Sequence, residues 1–390
     1  MAGEKTPENS VGDAPRALNR RRLLTGGALG AAALATGCDC AERCGTGVGP
    51  AIITNGASRE LKMVTTWPKD FPGLGDMATN VARMITEMSG GSLRVRVFSA
   101  GELVGAFEAF DAVANGAADI YHGAEYYWVG KTKAYAFFTA VPFGMTAQEI
   151  MAWTEVGGGQ ELWDELGLRF GMKHFAAGNT GVQMGGWFKR EVKSLADMRG
   201  LKIRMPGLGG EVMRRVGAAA VSLPGGELFQ ALQSGAIDAT EWVGPWNDLA
   251  FGFHTQAKNY MYPGIHEPGA QLSVGLNLNV WESLTLSEQA IIQNACRAAN
   301  HRAIAEYAHY SGEALKVLLD EHGVKLVRQP DDVLEALADA TREVLAEAVA
   351  EDPFTARVYE SFRTSLASGA AWSAISDEAY LAARRAALDL

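Results

Sequence analysis

The sequence predicts an α/β protein of two similar lobes that face a cleft across a hinge, followed by a C-terminal helical extension. Three observations predict it. Strand-like runs alternate with helix-like runs from Leu61 onward, the order of a parallel α/β sheet. A second alternation, beginning at Leu201, echoes the first. FDAVANGAAD (110–119) and FQALQSGAID (229–238) repeat Phe, Ala, an aliphatic residue, Gly, Ala and Asp at one spacing. In each phrase Gly closes a helix and Asp opens the next strand. Two such units imply a ligand site between them.

The elements follow in order. LKMVTTW (61–67) is a strand rich in β-branched residues, and GLGDMATNVARMITEMSG (73–90) a helix that ends at Gly90 and Gly91. LRVRVFSA (93–100) alternates with period two, as a half-buried strand does. Residues 104–117 read as a helix and DIYHGAEYY (119–127) as a third strand. LKIRMPG (201–207) is the first strand of the second unit, and residues 225–242 are a helix followed by a strand. Residues 282–323 form a long amphipathic helix entered through Leu284–Ser287. VKLVRQP (324–330) is a short strand, and residues 331–368 are helical again. Lobe I is assigned to 59–148, with about 239–280 returning to it. Lobe II is assigned to 149–238, with about 281–330 returning. Residues 331–390 form the extension, which lies outside both lobes and offers a surface to a partner chain.

The first residues are not part of the fold. Arg20–Arg21–Arg22 precede a short, mildly apolar run from Leu23 to Thr36. Positive charge, a short apolar stretch and small residues describe an export signal over 1–37. The paired arginines point to the twin-arginine route. The run falls short of the roughly 20 apolar residues that a membrane span needs. Cys38 follows a small residue, as at a lipoprotein cleavage site, although Ala35 stands where Leu is usual. Residues 38–58 read as a tether, with Cys40 and Cys44 able to pair; Cys296 reads as a small core residue. The net charge is −10, and removing five basic and three acidic signal residues takes it to −12. That balance excludes nucleic acid as a partner.

Polar residues at strand ends are the candidate site, because open α/β sheets bind ligands there. They are Tyr126 and Tyr127 after DIYHGAE, Gln183 in GNTGVQMGGWFK, Arg204 in LKIRMPG, Glu241 and Trp242 after AIDAT, and Glu267 in PGIHEPGAQ. Arg204 lies between Ile203 and Met205. Its planar fork suits a carboxylate ligand, or equally a structural salt bridge. Glu241 and Glu267, if they converge, need a proton or a cation between them. No Cys or His joins them at metal-ligand spacing, so a hard ion such as Na⁺ or Ca²⁺ fits better than zinc or copper. Nucleophile-elbow, zinc-protease and P-loop motifs are missing.

LKMVTTWP, ALQSGAIDATEW, GLKIRMPG, the Glu267 segment and the twin-arginine signal together resemble the periplasmic substrate-binding component of tripartite ATP-independent (TRAP) transporters. The resemblance covers about residues 59–370. It is strongest to the branch that binds 2-oxo acids or lactate with a metal ion. It implies a two-lobe periplasmic-binding-protein-like fold and no catalysis. Arg204 would clamp the substrate carboxylate, and Gln183 would contact ligand and ion. Glu241, the Trp242 backbone and Glu267 would hold Na⁺ or Ca²⁺, and Tyr126 and Trp67 would line the other lobe. It also implies delivery to membrane permease subunits, and a homodimer built through the C-terminal helix. Two other readings stay open: a secreted enzyme using the Glu pair as acid and base, and a signalling receptor domain.

Overall fold

The computed structural model describes residues 58–388. The export signal, Cys38 and the tether up to residue 57 lie outside the described residues. In chain order, β1 (Arg59–Thr65), α1 (Leu74–Met88), β2 (Leu93–Phe98), α2 (Ala109–Ala114) and β3 (Ile120–Gly123) form the first unit. α3 (Ala147–Glu155) and α4 (Gly159–Leu168) lead to β4 (Met172–Asn179) and β5 (Gly186–Phe188). The second unit is β6 (Lys202–Arg204), α5 (Gly207–Arg215), β7 (Ala219–Val221), α6 (Leu228–Ser234) and β8 (Ala239–Thr240). Then come α7 (Pro245–Phe251), β9 (Asn259–Tyr262), β10 (Gln271–Asn277), α8 (Leu278–Glu282), α9 (Leu286–Asp320) and β11 (Lys325–Arg328). α10 (Asp331–Glu351), α11 (Pro353–Ile375) and α12 (Asp377–Leu388) complete the described chain.

Local chemistry explains these elements. Leu74, Met77, Ala78, Val81, Ala82 and Ile85 form one buried stripe on α1. α9 begins where Thr285 and Glu288 cap one another: Thr285 Oγ1 accepts from Glu288 N, and Glu288 Oε2 accepts from Thr285 N at 2.9 Å. The two units repeat down to single hydrogen bonds. Gly116 and Gly235 follow α2 and α6 with φ of 77°. Asp119 Oδ2 then accepts from Lys62 N at 2.7 Å, and Asp238 Oδ2 from Lys202 N at 3.2 Å. LKMV (61–64) and LKIR (201–204) are therefore equivalent strands, and Arg204 stands where the first unit has Val64.

Two mixed sheets result, ordered β2-β1-β3-β10-β4 and β11-β9-β5-β8-β6-β7. The expected parallel pairing holds within each unit, while β10 runs antiparallel to β3 and β4, and β5 antiparallel to β8 and β9. The lobe limits differ from those expected. β4, expected in lobe II, belongs to the first sheet; β8 and β9, expected to return to lobe I, belong to the second. All seven positions of β10 are buried, and its two edges pair with β3 and β4. The third expected strand, 119–127, stops at Gly123 and continues as a 3-10 turn, Glu125–Trp128.

The chain crosses between the sheets by two short crossovers, 180–185 from β4 to β5 and 263–270 from β9 to β10, and once more through α8 and α9 from β10 to β11. The extension is not wholly free for a partner. Val333, Leu337 and Val344 of α10 and Phe354, Val358 and Phe362 of α11 are buried in the same core as Phe137, Phe138 and Trp153. Beyond them Trp372, Ile375 and Tyr380 are exposed.

Candidate functional site

Parallel pairing of β6 with β8 sets Arg204 beside Thr240, so Arg204 and Glu241 emerge at neighbouring C-terminal strand ends. Glu241 N donates to Arg204 O at 3.3 Å. Both side chains are buried, and Arg204 Nη1 donates to Glu241 Oε1. Arg204 Nε donates to the Leu223 carbonyl at 3.0 Å. The guanidinium lies 5.3 Å from the centre of the Trp242 ring. Its remaining nitrogen, Nη2, is buried without a partner.

The two crossovers bring the other polar residues to this pair. Gln183 N donates to the Glu267 carbonyl at 3.1 Å, and Gly264 N to the Gln183 carbonyl at 3.0 Å. Gln183 Nε2 donates to Glu267 Oε2 at 2.7 Å and to Thr180 Oγ1 at 3.1 Å. One ligand atom from each of Glu241, His266 and Glu267 lies within 4.8 Å of the others. His266 Nε2 lies 3.3 Å from Glu241 Oε2. His266 corrects the expectation that no histidine joins the acidic pair. The signal for it was its place beside Glu267 in PGIHEPG.

The first sheet supplies the opposite wall. Trp67 follows β1, and its Nε1 donates to His122 Nδ1 at 2.8 Å, so the indole offers a ligand only its ring. Burial pushes the His122 imidazole down to about 4, which keeps it a neutral acceptor. Trp67 meets Trp242 edge to face at 6.5 Å. Tyr126 and Tyr127 sit on the turn after β3. Gly207, with φ of 61°, lets the start of α5 approach that turn: a Cβ there would lie 3.1 Å from Tyr126 Cβ. Trp67, Tyr126, Tyr127, Gln183, Trp242 and Glu267 all line one small space between the two walls.

Electrostatics indicate what the site accepts. Burial, and then the Glu241 charge, push the Glu267 carboxyl up to about 8, with His266 and Arg204 opposing. Burial pushes the His266 imidazole down, but nearby Glu241 and Glu267 outweigh it and the net shift is upward. Burial, then Glu267, raise the Tyr126 phenol well above its ordinary value, so it stays protonated. One guanidinium against two ionised carboxylates leaves a net −1, which a proton on Glu267, a charged His266 or a bound cation must offset in a buried site. Gln183 Oε1 is a buried acceptor without a partner, and Glu241 Oε2 has only His266 Nε2 beside it, at 3.3 Å. Carboxylate and amide oxygens are the donor set of a hard cation. Arg204 Nη2 is a buried donor suited to an anion. The residues therefore fit a cation and an organic acid side by side.

A profile for the bacterial extracellular solute-binding protein family 7, DctP, matches residues 63–352. The chain belongs to this family of TRAP-type solute-binding proteins. A monocarboxylate 2-oxoacid-binding periplasmic protein of Nostoc sp. PCC 7120 is 41% identical over 319 residues, 82% of this chain and 87% of that one. A TRAP periplasmic solute-binding protein of Pseudoalteromonas atlantica, solved with sodium and pyruvate, is 42% identical with a TM-score of 0.81, over 83% of this chain and 98% of that one. The corresponding protein of Colwellia psychrerythraea, solved with calcium and pyruvate, is also 42% identical with a TM-score of 0.81, over 83% and 99%. A Bordetella bronchiseptica relative, a dimer with calcium and picolinate, is 32% identical with a TM-score of 0.84, over 85% and 99%. These relatives are named as binding proteins and not as enzymes. The acid–base enzyme reading of the Glu pair has no support among them. Membership in this extracytoplasmic family makes the DctP-type chain a periplasmic transport component.

Proposed function

We propose that this DctP-type protein captures a small monocarboxylate, a 2-oxo or 2-hydroxy acid, together with Na⁺ or Ca²⁺, and delivers it to TRAP membrane permease subunits. The observation that carries the reading is an unpartnered buried donor and an unpartnered buried acceptor on the residues of this site. Arg204, ion-paired to Glu241, keeps Nη2 as a buried donor without a partner, and Gln183, hydrogen-bonded to Glu267, keeps Oε1 as a buried acceptor without one. Such atoms are costly unless a ligand meets them.

Arg204 binds the acid carboxylate, and Gln183 contacts acid and cation. Glu241, the Trp242 carbonyl and Glu267 hold the cation, which supplies the positive charge that the acidic pair lacks. Tyr126 and Trp67 close the site from the first sheet. Closure is favoured by contacts that exist only when both walls meet the ligand. Pyruvate and calcium or sodium in the relatives support this choice.

The arginine-rich start supports export by the twin-arginine route, and Cys38 supports a lipid anchor. Exposed Trp372, Ile375 and Tyr380 on α11 and α12 support a homodimer through the extension. The experiment is a thermal-shift panel of pyruvate, lactate and longer 2-oxo acids with and without Ca²⁺. Stabilisation by a short acid, enhanced by Ca²⁺ and without turnover, is expected. No stabilisation by any of these acids, or conversion of one, would overturn the reading.

A further inference from the structure

We infer that Asp248 is a positioning residue for the cation site, aiming the Trp242 carbonyl and locking together the three chain segments that carry the ligands. The inference rests on the cation reading above.

Asp248 lies on α7 and is buried. Its Oδ1 accepts from Val243 N at 3.3 Å. Its Oδ2 accepts from Trp187 Nε1 at 2.9 Å and from the Tyr260 hydroxyl at 2.7 Å. Trp187 and Tyr260 also stack, with ring centres 4.1 Å apart. Each partner stands next to a ligand-bearing segment. Trp187 is on β5, four residues after Gln183. Tyr260 is on β9, which leads into the crossover bearing His266 and Glu267. Val243 directly follows Glu241 and Trp242.

The Val243 contact has a geometric consequence. Val243 N–H and the Trp242 carbonyl belong to one planar trans peptide, so they point in opposite directions. A carboxyl that holds the N–H fixes where the carbonyl points and draws electron density toward its oxygen. The following carbonyl is held as well, because Met184 N donates to Val243 O at 3.0 Å. Among the described residues no hydrogen bond to the Trp242 carbonyl is found. That oxygen is free to meet a cation. Carboxyl groups behind a metal ligand commonly set its orientation in this way.

The test is calorimetric titration of Ca²⁺ in the presence of pyruvate, on wild type, Asp248→Asn and Tyr260→Phe. An amide at 248 has one acceptor oxygen for donors on two sides, so either Val243 N or Trp187 Nε1 loses its partner. Asp248→Asn is expected to weaken Ca²⁺ about 10-fold or more. It should also shrink the ratio of pyruvate affinities measured with and without Ca²⁺. Tyr260→Phe keeps the carboxyl but removes one of its holders, and a loss of roughly two- to tenfold is expected. It carries the test should Asp248→Asn fail to fold. A purely structural role would lower the melting temperature and leave the Ca²⁺ dependence of pyruvate binding unchanged, which would overturn the inference. Wild type that binds pyruvate without any Ca²⁺ or Na⁺ dependence would overturn the cation reading itself, and this inference with it.

Discussion

Arg204 and Glu241 form a fully buried ion pair in which Arg204 Nη2 has no hydrogen-bond partner and Glu241 Oε2 faces only His266 Nε2, at 3.3 Å. A purely structural salt bridge gains little from such an arrangement, because buried charges repay their desolvation only when their remaining atoms are satisfied. The unsatisfied atoms are explained if an acid and a cation complete them.

Replacing Arg204 by Lys tests the fork without leaving Glu241 unpaired. Lys keeps the charge and loses the planar pair of donors. Pyruvate affinity, measured by calorimetry, is expected to fall by roughly 100-fold, the loss of a charge-assisted contact. Affinity within a factor of about three of wild type would remove Arg204 from the site.

Gly207→Ala tests the approach of the two walls. The residue has φ of 61°, and a Cβ would crowd Tyr126. Left-handed strain and that contact are expected to weaken acid binding roughly tenfold. Stopped-flow fluorescence should show faster release.

How far these roles were legible follows from particular residues. The Lys62–Asp119 and Lys202–Asp238 bonds are written in the paired GAAD and GAID phrases, so the two-unit plan could be read. The Thr285 cap of α9 was equally visible. β4 was not: MKHFAAGN is almost wholly buried and shows no alternation. Strands of three or four residues, β5, β7 and β9, are too short to carry a period. Arg204, Glu241, Gln183 and Glu267 were each recognisable as charged or polar groups in apolar settings. Their meeting depends on the crossovers at 180–185 and 263–270, which bring residues 84 positions apart into hydrogen-bond contact. His266 stands beside Glu267 in the sequence, but only that convergence brings Glu241 to its Nε2 as well.

Stability should carry a pH signature from Glu125, on the turn that bears Tyr126. Its carboxyl accepts from Tyr121 Oη at 2.7 Å and faces His174 at 3.9 Å. Burial raises it to about 7 from 4.5, with Tyr121 and Ser273 pulling it back. The folded chain therefore holds a proton that the unfolded chain releases. This contribution falls as pH rises from about 4.5 through 7 and is flat above that. Glu125→Gln lacks the effect. Wild type is expected to lose stability relative to Glu125→Gln between roughly pH 4.5 and 7, on the order of 3 kcal/mol in denaturant titrations. Parallel pH profiles would contradict it.

Sedimentation tests the dimer. Removing residues 369–390 deletes Trp372, Ile375 and Tyr380 and leaves the buried anchors Phe354, Val358 and Phe362. The shortened chain is expected to be a monomer that still binds pyruvate, against a dimeric full-length protein. A full-length monomer would contradict the assignment.

The most direct measurement is calorimetric titration of pyruvate into wild type and Glu241→Gln, in sodium-free buffer, with Ca²⁺ and with chelator. Wild-type affinity is expected to drop at least about tenfold on chelation, and the Gln variant to lose most of that Ca²⁺ dependence. Equal pyruvate affinity in all four conditions would contradict a site in which acid and cation are bound together.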